Sequence, residues 1–145
     1  LGPCDLRRAF TTTNFAQLGR LARILGEPPA QCQKLESMCE AIAAIPPVFS
    51  HSDLSWGNIS CHRRATSWSI RFSEFAWITF LPAGAEFHHL ASNAHVSGED
   101  GWIFDATTAA YGDLLGIPSP LIRLAAYVFA IHICLHCAYH ERMPQ

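Results

Sequence analysis

His51-Ser52-Asp53-Leu54-Ser55-Trp56-Gly57-Asn58 is the stretch on which the reading of this chain turns. It follows a short apolar segment, Val48-Phe49, and that segment follows Pro46-Pro47, a pair that ends any preceding helix. A loop that presents a carboxylate and, five residues later, a carboxamide supplies two functions from one bend. Asp53 can orient an acceptor hydroxyl and take its proton. Asn58 can offer an oxygen to a hard cation held against nucleotide phosphates. In that chemistry a second carboxylate, just past a following hairpin, completes the metal site.

The flanking sequence supplies such a hairpin. Residues 59–61 and 67–72 read as two strands around His62-Arg63-Arg64-Ala65-Thr66, and Glu74 follows them. Upstream, Thr13 or Asn14 can cap a helix with Phe15, Leu18, Leu21, Ala22 and Leu25 on one stripe and Gly26 at its end. Pro28 and Pro29 open a second helix, whose Cys32, Leu35, Cys39, Ile42 and Ile45 recur at three and four, with Lys34, Glu36 and Glu40 largely opposite. Downstream, Leu81-Pro82-Ala83-Gly84 reads as a turn and residues 85–94 as a helix, with loop composition over 97–101. Residues 106–115 read as helical, Pro118 and Pro120 as breaks, and 121–141 as the most apolar helix. The expected fold class is α+β, helix-dominated, with one small β-hairpin at the loop. The expected divisions are leading helices over 1–47, loop and hairpin over 48–80, and a helical remainder over 81–145.

The loop, read as His51-x-Asp53-Leu54-x-x-x-Asn58-Ile59, resembles that of the aminoglycoside phosphotransferase and choline kinase superfamily. Two later blocks resemble runs of its fungal-type branch in the same order. These are Glu74-Phe75-Ala76 with Phe80-Leu81-Pro82-Ala83-Gly84, and Gly101-Trp102-Ile103-Phe104-Asp105. The likeness covers about residues 35–115 and implies a protein-kinase-like C-terminal lobe that uses ATP and Mg²⁺ to phosphorylate a small-molecule hydroxyl acceptor. It implies Asp53 as catalytic base, Asn58 as metal ligand and His51 as a structural member of the nucleotide-side loop. Glu74 stands where the family carries a metal-binding aspartate, if the Leu-Pro-x-Gly block fixes the alignment; the commoner hairpin length puts Phe72 there instead. On either alignment the aspartate is absent. Glutamate adds a methylene and shifts the carboxylate by about 1 Å, a misplacement that can cost on the order of 10²-fold in rate. The residues before His51 read as helices, without the strands, glycine-rich phosphate cover or paired lysine of an N-terminal lobe, and Lys34, the only lysine, falls on a helix. The expectation is a lobe that is inactive or weakly active alone, or a degenerate relic acting as an interaction module, associating with an N-lobe, a partner or itself.

Composition narrows the alternatives. Half of the 145 residues are hydrophobic and 15% are charged, and a formal charge of −2 with no basic block gives no footprint for nucleic acid. The start at Leu1 reads as a piece of a longer product, a processed chain or a truncated gene reading. Residues 1–10 include Asp5, Arg7 and Arg8 with no apolar core of a secretory signal after them. The longest apolar run, about residues 124–135, falls short of the roughly 20 residues of a bilayer span and reads as a buried helix. Six scattered cysteines, Cys4, Cys32, Cys39, Cys61, Cys134 and Cys137, suit reduced, mostly buried thiols, so a cytoplasmic, non-membrane protein is expected. His132, His136 and His140 recur at four-residue steps with Cys134 and Cys137 between them, but the cysteines sit roughly 200° and 140° around the helix from His132 and do not share one tetrahedral site with it. Ordinary polar tips are the favoured reading there. His88-His89 reads as one packed and one solvent-facing residue. Trp56 reads as an aromatic cap or pocket wall, and Glu86, Asp100 and Asp105 as solvated carboxylates rather than an acidic rim.

Overall fold

The computed structural model describes residues 15, 17–75, 78–96, 98 and 101–142. The expected cap at Thr13 or Asn14, together with Cys4, Ala76 and Asp100, lies outside them.

Helix α1 (Leu18–Ile24) ends at Gly26, whose φ of +89° is the left-handed conformation that closes a helix. Helix α2 (Pro29–Ala43) has proline in its first turn, where the missing N–H has no helical partner in any case. It buries Cys32, Leu35, Cys39 and Ile42, the stripe set by its spacing. Strand β1 (Pro47–His51) then leads through a 3₁₀ turn (Trp56–Asn58) into the hairpin of β2 (Ile59–Arg63) and β3 (Trp68–Phe72). Strand β4 (Ile78–Pro82), a second 3₁₀ turn (Ala85–Phe87), α3 (His88–Val96), α4 (Gly101–Leu115) and α5 (Ser119–Arg142) complete the order.

Among the described residues two antiparallel two-stranded sheets result, not one hairpin. In the first, β2 faces β3, with Ile59 opposite Phe72 and Arg63 opposite Trp68. In the second, β1 pairs with β4, with Phe49 opposite Phe80 and His51 opposite Ile78. The reading of 81–84 as a simple turn therefore needs correction: Leu81 and Pro82 belong to a strand, and the division at residue 80 cuts through it. Helix α4 likewise begins at Gly101, five residues before its expected start, so the block resembling Gly-Trp-x-x-Asp is helical.

Helix α5 organises the interior. Its Ile122, Ala125, Val128 and Phe129 pack with Leu18 and Ala22 of α1 and Cys32, Leu35 and Ile42 of α2. Its Ala126 joins a second cluster with Leu90 and Ala91 of α3 and Phe104 of α4. At 24 residues and a hydropathy of 1.8, α5 is long and apolar enough to cross a bilayer by length and composition. About 33% of that apolar stretch is buried, and the buried stripe includes Ile122, Ala125, Val128 and Phe129. The architecture is α+β and helix-dominated.

Candidate active site around the Asp53 loop

β1 delivers His51 to the head of the loop, and its imidazole fastens two segments. The Asp53 backbone N–H donates to His51 Nδ1 at 3.3 Å, which leaves the ring proton on Nε2 to be donated to the Ser73 carbonyl at 2.7 Å. The ring also meets Phe75 edge-on, with centroids 5.3 Å apart. His51 thus ties the loop to the strand end on both sides of Glu74.

Asn58 closes the bend from its far end. Its Nδ2 donates to Asp53 Oδ2 at 2.8 Å and to the Asp53 carbonyl at 3.0 Å. Both partners are oxygens, so the amide nitrogen must face them and Oδ1 takes part in neither bond. The other Asp53 oxygen, Oδ1, lies 3.0 Å from His89 Nε2. Two donors from opposite sides fix the carboxylate, and the Asp53 side chain stays 36% exposed and open to a reactant. Of the doublet read as one packed and one solvent-facing residue, His88 is the packed member at 4% exposure and His89 the open one. His89 comes from the first turn of α3, across 36 residues of sequence, and meets the loop.

Glu74 sits in the left-handed region at φ +58°, uncommon for a residue with a side chain, and its residue is exposed. The conformation re-aims the chain between the hairpin and β4. Among the described residues no group of three or more His, Cys, Asp or Glu is placed to hold a metal ion. Any magnesium site here would therefore draw on the Asn58 amide and backbone or water oxygens as well as carboxylates, a hard-oxygen set that suits Mg²⁺ chemically.

Behind the loop, Phe49, Phe75, Phe87 and Leu54 wall a cleft of about 370 Å³ whose polar lining includes Glu86 and Tyr111. Glu86, expected as a solvated carboxylate, is 5% exposed; its Oε2 accepts the Gly84 N–H at 2.9 Å. Burial pushes its pKa up, against the opposing pull of hydrogen bonds from Tyr111, Gly84 and Ser50, and burial beside Glu86 also raises that of the Tyr111 hydroxyl. Asp105 does lie at the surface, paired with Arg123 at 3.0 Å. Trp56 is 49% exposed on the loop. The cysteines are not mostly buried as expected: Cys61, Cys134 and Cys137 are exposed, and Cys39, buried with Cys32, lines a second cavity of about 580 Å³ along α2, where burial pushes its thiol up to about 11, with Glu36 and Glu40 adding to the shift. A thiol so held is a poor nucleophile.

No family model, curated protein or solved structure matches this chain.

Proposed function

We propose that the chain is the C-terminal lobe of an ATP- and Mg²⁺-dependent small-molecule O-phosphotransferase of the aminoglycoside phosphotransferase and choline kinase type, cytoplasmic, and inactive or weakly active as an isolated chain. The observation that supports this reading most is the Asp53 carboxylate, held between Asn58 Nδ2 and His89 Nε2 on a loop that follows a strand and precedes a hairpin.

In this reading Asp53 orients the acceptor hydroxyl and accepts its proton, and the two donors keep the carboxylate from turning away between turnovers. Asn58 Oδ1 and the Glu74 carboxylate are the metal ligands, and His51 ties the two neighbours of Glu74, Ser73 and Phe75, to the head of the loop. Asn58 and Glu74 would hold a Mg²⁺ ion, which would supply charge neutralisation on the phosphoryl group donated by ATP. Weak activity follows from the glutamate in place of aspartate and from the only lysine, Lys34, lying exposed on α2.

A second reading, a relic that works by association, draws on exposed aromatics. Phe49 and Phe80 form an edge-on pair on the outer face of the β1–β4 sheet at 69% and 63% exposure, and Trp68 on the hairpin is 67% exposed. Calorimetric titration with ATP, with and without Mg²⁺, separates the two. The phosphotransferase reading expects magnesium-dependent binding weakened by about 10-fold or more in Asn58→Ala and Glu74→Ala, the scale on which metal sites respond to lost support. Absence of magnesium-dependent binding in the wild type removes it in favour of the relic.

A further inference from the structure

The last turns of α5 bring two imidazoles to one point. His140 Nε2 lies 3.1 Å from His136 Nε2, with ring centroids 4.5 Å apart and planes at 74°. A tetrahedral zinc ion with Zn–N bonds of 2.0–2.1 Å holds two nitrogen ligands about 3.3 Å from each other. The pair is therefore within roughly 0.2 Å of the separation that chelation requires.

The fold also sorts the three histidines that the sequence offers at four-residue steps. His132 is 3% exposed, with its ring 5.6 Å from Phe15 and 6.0 Å from Phe129, so the core takes it out of the series. His136 stacks on that fixed ring at 5.8 Å and 23°. One ligand of the pair is thus oriented by the interior, while His140, a helical turn later, is exposed to solvent.

We propose that His136 and His140 form a chelating site for a borderline divalent transition-metal ion, zinc being the representative, separate from the Asp53 loop. The contact between the two Nε2 atoms gives way to two nitrogen–metal bonds. The ring that carried its proton on Nε2 moves it to Nδ1, so both lone pairs face the metal and no net proton is released. Imidazole nitrogen selects zinc, copper or nickel over magnesium. Among the described residues no third His, Cys, Asp or Glu joins the pair, so water completes the shell and the ion is exchangeable.

The test uses the full chain, purified without a tag, with exposed thiols alkylated to remove Cys61, Cys134 and Cys137 as competing ligands. Zinc chloride is titrated by calorimetry, and the histidine ring signals are followed by NMR. One zinc per chain is expected, with the rings of His136 and His140 shifting together. His136→Gln and His140→Gln should each weaken binding by roughly 10²-fold, the low end of the gain from linking two weak ligands, while His62→Gln on the hairpin changes nothing. No binding, or binding that survives both α5 substitutions, overturns the proposal. NMR dispersion of each variant shows whether the fold persists, and if either is unfolded, the concerted ring shifts of the wild type decide the matter.

Discussion

His88 and His89 adjoin in sequence and occupy opposite environments. His89 reaches out to Asp53, while His88 is 4% exposed, its Nδ1 3.2 Å from the Ala85 carbonyl and its ring edge-on to Phe129. Burial, and then the charge of His89, hold His88 down to about 4. Because the folded pKa lies below the ordinary 6.5, the unfolded chain takes up the proton first as pH falls. Stability from this residue is complete above pH 6.5 and drains away towards pH 4, by up to about 3 kcal/mol. Glu86 acts in the opposite direction. Its raised pKa leaves it neutral and harmless in acid, and its ionisation weighs against the fold as pH rises above 4.5. Urea unfolding at a series of pH values should therefore show His88→Asn less stable than wild type near neutrality yet losing less on acidification, and Glu86→Gln flattening the decline on the alkaline side. If the profile of His88→Asn parallels wild type from pH 6.5 to 4.5, the buried histidine is not what acid attacks.

Among the elements, the turn from β4 into α3 is the tightest. Gly84 has φ +102°, and a methyl group there would run into the backbone carbonyl of Ile122 on α5. Gly84→Ala combines a left-handed penalty of about 1–2 kcal/mol with that clash, so a loss of at least about 2 kcal/mol is expected in chemical denaturation. A neutral result would mean that α5 can shift away, contrary to its central packing. Helix α2 was legible because its prolines and the Cys32, Leu35, Cys39, Ile42 stripe are local signals. Strand β4 was not: Ile78-Thr79-Phe80-Leu81-Pro82 lacks a clear alternation, its partner lies some thirty residues upstream, and Phe80 is exposed although apolar. The early start of α4 was hidden by Gly101, a residue that reads as loop, and by Trp102, which the helix leaves 72% exposed. The candidate site divides in the same way. Asp53 and Asn58 share one loop, and spacing brings them together. His89 reaches that loop only because α3 docks on α5, a tertiary fact with no local trace beyond the His-His doublet.

On the scale of the whole molecule, a helical interior built around α5 carries two small sheets whose outer faces hold Phe49, Phe80, Trp68 and Ile70 in solvent. A surface of that kind favours association, so concentration-dependent sedimentation is expected of the wild type and not of Phe49→Ser with Phe80→Ser; identical profiles for the two would show that these aromatics do not drive association. The central claim concerns the loop to which β1 and the hairpin lead and that His89 of α3 meets at Asp53. It is tested most directly by NMR of the full chain with Mn²⁺ and ATP, because the paramagnetic ion broadens amides close to it. Broadening is expected at residues 53–58 and 73–75, dependent on ATP and reversed by excess Mg²⁺. If those amides stay sharp while ATP and Mn²⁺ are present, the Asp53 loop does not hold a metal-bound nucleotide, and the phosphotransferase reading fails with it.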